Sequence, residues 1–335
     1  MPVAIIRTEG LTKRYGHARG IDDLDLEVRP GEVFGFLGPN GAGKTTTIRT
    51  LLDFIRPTSG RALLFGLDSR RDSRAIRRRL GYLPGELTLY DSLSGVELLT
   101  YFAHLRGLPS IEGGRRVAER LDCDLTREIK ALSHGNRQKL GLVQALMGDP
   151  ELVIFDEPTL GLDPLVQAVF FELVDELRAA GRTLFVSSHN LPEIQRICDR
   201  VGIIREGRLL AVESVSDLKR RALRRLELRF TEPVTAERFA GVPGVRDLVV
   251  DGPNLSCVVT GSVDPMLRAA LELQVEDMIS HEPSLEEIFL AFYGNGATGG
   301  PPTDDAPPGD VPPGDVPPGD VPTPGAPTHE VPHAA

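Results

Sequence analysis

Gly38-Pro-Asn-Gly-Ala-Gly-Lys-Thr-Thr46 decides the fold. It fits G-x-x-x-x-G-K-[ST], follows the mostly apolar run from Val33 to Leu37 and precedes a stretch of helical character from Lys44. A strand, a glycine-rich loop and a helix in that order make a phosphate cradle. The glycines let the backbone curl so that several N–H groups point inward, and the helix N-terminus adds about half a positive charge. Every position of the loop is a candidate contact: Gly38, Pro39, Asn40, Gly41, Ala42, Gly43, Lys44, Thr45 and Thr46. Lys44 is placed to reach β- and γ-phosphates, and the Thr45 hydroxyl to ligate Mg2+.

Outward from this loop, Leu152-Val-Ile-Phe-Asp-Glu157 is a short apolar strand ending in two carboxylates. The carboxyl ends of strands are where α/β sheets bind ligands. Asp156 is expected to hold Mg2+, and Glu157 to polarise an attacking water as general base. An Asp-Glu pair after apolar residues is in isolation often only the end of a strand; the loop upstream gives this pair its chemistry. Thr183 to Ser187 is a second buried strand, and Leu165 to Ala180 between them has helical spacing, as do 96–106 and 115–121. Leu24, Leu26 and Val28 alternate with Asp23, Asp25 and Glu27, the pattern of a half-buried strand. Strands alternating with helices imply a mainly parallel, covered sheet.

Three more pieces follow in order. Leu132-Ser-His-Gly-Asn136 precedes a helix expected over 137–147, with Asn136 suited to cap it; Gly161-Leu-Asp163 follows the acidic pair; Ser188-His189 ends the next strand. Together with the phosphate loop these resemble the ATP-binding subunits of ABC transporters, over about residues 3–220. The resemblance implies an α/β P-loop NTPase of the ABC ATPase type, with a mainly parallel sheet, a β-rich arm and a helical subdomain. It implies ATP and Mg2+ as ligands, Tyr15 stacking on adenine, and His189 and Lys44 acting with Glu157 on the γ-phosphate and water. Ser133 and Gly135 are implied to touch the γ-phosphate bound by an opposite subunit, and Asp163 to line the interface. Each motif occurs once, so the resemblance implies a second ATPase chain, read as a homodimer, packed head to tail around two ATP.

Two positions depart from the family. Gly85 in Gly81-Tyr-Leu-Pro-Gly-Glu86 stands where the family usually has Gln, and Glu86 next to it is expected to take over as a Mg2+ ligand. The signature has His134 and Asn136 where Gly and Gln are usual. The Gly-Tyr-Leu-Pro-Gly-Glu stretch, the run Asn136-Arg-Gln-Lys and the C-terminal Ser-Leu-Glu-Glu-Ile-Phe-Leu are similar to the bacterial antibiotic- and drug-exporter branch, the daunorubicin-resistance type. That implies export through an integral membrane permease on another chain, with the ATPase peripheral at the cytoplasmic face of the cell membrane. The rival reading is a soluble ABC ATPase acting on ribosomes or nucleic acid. Such proteins tend to carry two cassettes or a long coiled coil, and neither pattern occurs in this sequence.

Composition sets the remaining bounds. The chain has 335 residues, 41% hydrophobic, with a formal charge of −10. Residues 301–335 hold six carboxylates and no Lys or Arg, so the remainder is near balance at 42 acidic against 38 basic residues. That balance gives no reason to expect direct nucleic-acid binding. Cys123, Cys198 and Cys257 are far apart, which fits a reducing compartment rather than a disulfide framework or a zinc site. The N-terminus carries no signal-peptide pattern, and no run approaches the roughly 18–20 apolar residues of a membrane span. Three domains are expected: an ABC ATPase domain at 1–220, a small α+β domain at 221–294 with order β-α-β-β-α-β, and a disordered Pro/Gly/Asp-rich tail at 295–335. A last helix is expected from Ser284. Arg70, Arg71, Arg74, Arg77, Arg78 and Arg79 form a basic cluster, read as a solvated helix face or, more sharply, as a contact for anionic lipid headgroups.

Overall fold

The computed structural model describes residues 3–16, 18–221 and 223–281. The chain opens with β1 (Ile6–Tyr15), β2 (Ala18–Val28) and β3 (Val33–Leu37), and α1 (Lys44–Leu51) follows the phosphate loop. Next come β4 (Ser59–Leu64), β5 (Leu67–Asp68), α2 (Ser73–Arg79) and β6 (Leu80–Leu83). A helical insert of α3 (Gly95–Arg106), α4 (Glu112–Arg120) and α5 (His134–Leu146) precedes β7 (Leu152–Asp156). Then α6 (Pro164–Ala179), β8 (Thr183–Ser188), α7 (Leu191–Ile197), β9 (Arg200–Arg205), β10 (Arg208–Ser214) and α8 (Val215–Arg221) follow. The last elements are β11 (Leu223–Phe230), β12 (Val245–Asp251), β13 (Asn254–Thr260), α9 (Asp264–Leu271) and β14 (Val275–His281).

The central sheet has the order β10-β9-β3-β8-β7-β6. From β9 to β6 every pairing is parallel, and β10 adds an antiparallel edge. Strands β3, β7 and β8 are buried along their whole length because the sheet is covered on both faces. Successive side chains point to opposite faces. Val33, Leu37, Val153, Phe155, Leu184 and Val186 enter one apolar cluster, which takes in α3, α5, α6 and α7. Phe34, Phe36, Leu152, Ile154 and Phe185 enter the other, which takes in α1, Ile76 of α2 and the strands of a second sheet. That second sheet is antiparallel, of order β2-β1-β4-β5, and forms the β-rich arm. On β2, buried Leu24, Leu26 and Val28 alternate with exposed Asp23, Asp25 and Glu27.

Register fixes where the loops emerge. Leu37 lies opposite Ser188, and Asp156 opposite Ser187. The carboxyl ends of three adjacent strands therefore meet in one place, followed by the phosphate loop, Glu157 and His189.

A third sheet, order β12-β13-β11-β14, is antiparallel throughout and has its own core of Leu226, Leu228, Phe230, Leu255, Cys257 and Val259 against Phe239, Met266 and Ala270. This is the strand order of a split-βαβ unit. A single 3-10 turn, Ala236–Arg238, replaces the helix expected over 235–240. The helix expected from Ser284 and the tail at 295–335 lie outside the described residues. Among the described residues no helix is long and apolar enough to cross a membrane, and the three cysteines are free.

Candidate functional site

The phosphate loop is held by close packing as much as by hydrogen bonds. A Cβ at Gly38 would fall 2.3 Å from the Ile204 carbonyl oxygen, so only glycine lets the loop leave β3 against β9. Lys44 Nζ donates to the carbonyl oxygens of Gly38 at 2.6 Å and Pro39 at 3.3 Å, and lies 3.2 Å from Glu157 Oε1. The ammonium is thus held inside the loop curl. Thr45 Oγ1 donates to Asp156 Oδ2 at 2.9 Å, and Ser187 Oγ donates to the other oxygen, Oδ1. Asp156 is fully buried, and these two hydroxyls orient its carboxylate.

Strand β7 ends at Asp156, and Glu157 turns at once into the left-handed region with φ 51°. A non-glycine residue in that region costs of order 1 kcal/mol or more and persists only where its surroundings enforce it. Here the backbone N–H of Glu157 donates to the Ser187 carbonyl at 3.1 Å. The turn delivers the carboxylate to two partners: Lys44 Nζ on Oε1, and His189 Nδ1 at 2.9 Å from Oε2. An ionised carboxylate only accepts, so in this contact Nδ1 carries the proton, and in the neutral imidazole Nε2 is then the acceptor nitrogen.

A cavity of about 230 Å³ lies over this cluster, lined by Tyr15, Gly20, Glu157 and loop residues from Pro39 to Thr46. Tyr15, at the end of β1, is 49% exposed, with Lys13 Nζ 5.1 Å from its ring centroid. The ring offers an open face at the cavity edge. Two loop positions stand back from the cavity: Ala42 is buried in the core, and Gly38 contributes its carbonyl to Lys44. Gly85 follows β6 beside the metal-ligand candidates. A Cβ there would sit 3.5 Å from Asp156 Oδ2, in ordinary contact. Glu86, the next residue, is exposed. Tyr82 on β6 has its phenol pushed far above the usual range, first by burial and then by the charge of Asp156, so it stays protonated.

The signature lies apart from this cavity: neither Ser133 nor Gly135 lines it. Its helix starts earlier than expected. Ser133, not Asn136, is the N-cap of α5, and its hydroxyl accepts from Asn136 N at 3.3 Å. Serine is as good a cap as asparagine, and it leaves the N–H groups of His134 and Gly135 in the uncapped first turn. The His134 ring packs on Gly161, where an added Cβ would come within 2.4 Å of Cδ2; a Cβ at Gly135 would meet the Gly161 carbonyl oxygen at 2.9 Å. The signature therefore sits on the loop that links Glu157 to Asp163. Asp163 caps α6, accepting from Leu165 N and Val166 N at 3.1 Å, and is itself exposed.

Residues to which the sequence assigns no role organise the site. Besides Ser187, Glu193 in the first turn of α7 accepts from Thr159 Oγ1 at 2.5 Å, Ser188 Oγ at 2.9 Å and Asn190 Nδ2 at 3.3 Å. Thr159 lies two positions after Glu157, and Ser188 directly before His189. One carboxylate thus ties together the two loops that carry the Glu157–His189 pair. The signal in sequence was faint: an acid in the first turn after Ser-His-Asn, which reads as ordinary helix-dipole chemistry.

Comparison with known proteins locates this arrangement. A family model described as ABC transporter matches residues 21–160. The bacitracin transport ATP-binding protein BcrA of Bacillus licheniformis is 35% identical over 307 residues, covering 88% of this chain and 99% of that protein. The daunorubicin/doxorubicin resistance ATP-binding protein DrrA of Streptomyces peucetius is 34% identical over 316 residues, 88% of this chain and 94% of the relative. A solved structure described as the ATP binding subunit of an ABC transporter superposes with a TM-score of 0.60 at 31% identity, covering 64% of this chain and 92% of that one.

Proposed function

The chain belongs to the ATP-binding subunits of ABC transporters, and from that premise we propose that it powers export of a drug- or antibiotic-like compound through a membrane permease on another chain. ATP is its substrate, and hydrolysis to ADP and phosphate is its reaction. The observation that carries the mechanistic reading is the Glu157 carboxylate, held between Lys44 Nζ and His189 Nδ1 directly above the Thr45–Asp156 pair.

Each residue takes a defined role. Backbone N–H groups of Asn40, Gly41 and Gly43–Thr46, with the Lys44 ammonium, bind the phosphates, and Tyr15 stacks on the base. Glu157 accepts a proton from the attacking water as general base, a role worth about 10²–10⁴ in rate. His189 fixes that carboxylate through Nδ1 and offers Nε2 toward water and γ-phosphate. Thr45 Oγ1 and Asp156 are hard oxygen donors within 2.9 Å of each other, which fits Mg2+ held by one or two side chains plus phosphate oxygens. When bound there, Mg2+ neutralises charge developing on the phosphates. Glu86 stands in for the missing glutamine as a further oxygen ligand.

Ser133 and Gly135 act on the γ-phosphate of a second copy. What supports this is their absence from the cavity lining around Lys44, together with free N–H groups at the start of α5. Asp163, on the loop that carries the signature, then lies at the subunit interface. The likeness to a bacitracin transport protein and a daunorubicin/doxorubicin resistance protein over nearly their full lengths supports export as the direction, and action at the cytoplasmic face of the membrane is part of the same proposal.

The test is a pull-down from detergent-solubilised native membranes with Glu157→Gln and ATP. Recovery of a polytopic membrane protein establishes the transporter reading and supplies the partner. Recovery of ribosomes or nucleic acid without a membrane protein would leave the ATPase chemistry standing and overturn its use.

A further inference from the structure

The arginine cluster at 70–79 divides in the structure. Arg79 makes a two-pronged pair with Glu151, both contacts at 2.7 Å, and lies 3.9 Å over the Phe65 ring. Arg77 donates to the Leu52 carbonyl at 3.4 Å. These two serve the fold. Arg70 and Arg71 are exposed and, with Arg56 from the segment after α1, line a separate cavity of about 400 Å³. None of its lining residues is shared with the cavity around Lys44.

Arg61 also lines this pocket, but its guanidinium is committed to Glu9 at 2.6 Å. Arg56, Arg70 and Arg71 make no salt bridge among the described residues. Two carboxylates, Asp53 and Asp68, share the lining. Asp68 accepts from the backbone N–H groups of Arg71 and Arg70 at 3.0 Å each, which holds its carboxyl below the usual range and orders the loop that presents the two side chains. With Arg61 set against Glu9, three guanidinium groups remain against two carboxylates and leave the pocket positive by one charge. Ser69 lies at its wall, only 4% exposed, and its hydroxyl has no hydrogen-bond partner among the described residues.

We propose that this pocket binds a phosphate group through Arg56, Arg70, Arg71 and Ser69. Three uncommitted guanidinium forks and a hydroxyl offer more donors than the two oxygens of a carboxylate can use, and the tetrahedral oxygens of a phosphate match them. The pocket, about 400 Å³, has room beyond a bare anion for the molecule that carries the phosphate, either an anionic lipid or a soluble phosphorylated compound.

The experiment measures labelled inorganic phosphate by equilibrium dialysis against the full chain, with a non-hydrolysable ATP analogue saturating the nucleotide loop and its γ-phosphate position, so that a second phosphate is counted alone. Replacing Arg56, Arg70 and Arg71 by Ala is expected to weaken that binding at least about 10-fold, with Ser69→Ala intermediate. ATP turnover should stay near wild type, since none of these residues touches the nucleotide cavity. Vesicles of phosphatidylglycerol and phosphatidylcholine separate the sources. Co-sedimentation that the triple variant loses identifies a lipid headgroup; phosphate binding without co-sedimentation identifies a soluble carrier. The proposal is overturned if the wild-type chain binds no phosphate beyond the nucleotide site, or if the triple Ala variant binds it as tightly. A triple Lys variant that binds as tightly would also overturn it, because charge would then suffice without the forks.

Discussion

Glu193 takes three hydrogen bonds from Thr159, Ser188 and Asn190 and touches none of the groups assigned to chemistry. Its effect must come through position. Removing the carboxylate frees the segments on either side of Glu157 and His189, and misplacement by about 1 Å can cost on the order of 100-fold. Glu193→Ala is therefore expected to lower kcat by roughly 10–100-fold while the KM for ATP changes less than about twofold. Glu193→Gln keeps an acceptor oxygen and should lose less. Steady-state kinetics with melting curves checks this; a parallel fall in kcat, ATP affinity and Tm would mean that Glu193 is only structural. This residue also marks the limit of what sequence shows. Lys44, Thr45, Asp156, Glu157 and His189 were legible because each follows a strand within a recognisable spacing, and the structure gathers all five. Glu193 was not, because its importance lies in where two distant loops end, and no spacing along the chain encodes that. At the signature a local preference misled: Asn136 caps helices well, but Ser133 three residues earlier caps as well and lets α5 add another turn of hydrogen bonds.

Strands decide which side chains can meet. Buried strands β3, β7 and β8 were legible as short, mostly apolar runs, while β4, β5 and β10 were not, since their partly exposed positions blur both periodicities; β9, buried from Val201 to Ile204, is too short a run between arginines to stand out. One pairing between sheets carries a pH signature. Asp22 on β2 accepts from Arg208 of β10 at 3.1 and 2.8 Å and from Arg14 at 3.3 Å. The Arg208 hydrogen bonds, then that from Arg14, hold its carboxyl below the usual value. A carboxyl lowered in the folded state contributes stability that is complete above its unfolded value, near 4, and is lost as pH falls through the lowered value. Asp22→Asn should therefore destabilise at pH 7 and flatten the acid limb of the stability curve below about pH 4, read by chemical denaturation at several pH values. The end of β6 gives a second test. Gly85 faces Asp156 with room for a side chain, and Glu86 follows it. If Glu86 supplies the missing ligand, Glu86→Ala should raise the Mg2+ concentration for half-maximal turnover several-fold, and adding Gly85→Gln should restore it. An unchanged Mg2+ dependence in Glu86→Ala sinks that role.

The whole molecule is asymmetric about its nucleotide. The cavity around Lys44 is walled by one chain's phosphate loop, Tyr15 and Glu157, and the α5 N-terminus contributes nothing to it. Yet α5 begins with an exposed Ser133 on a loop fixed by the packing of His134 and Gly135 on Gly161, and a helix N-terminus presents N–H groups suited to an anion. In the proposed head-to-tail dimer of two copies, each α5 N-terminus would lie over the partner's γ-phosphate. The bridging group is then the γ-phosphate itself, so closure depends on differential contact with ATP over ADP. Glu157→Gln should lower turnover by about 10²–10⁴ while leaving nucleotide binding intact. With ATP and Mg2+ it should elute as a dimer, and with ADP as a monomer. Adding Ser133→Arg, which fills the contact from the opposite side, should keep the protein monomeric with its ATP affinity nearly unchanged, because Ser133 does not line its own chain's cavity. Light scattering across a range of protein concentrations reads both states. If Glu157→Gln stays monomeric with saturating ATP, the signature does not act in trans; if Ser133→Arg instead abolishes ATP binding to the monomer, the signature serves its own chain's nucleotide.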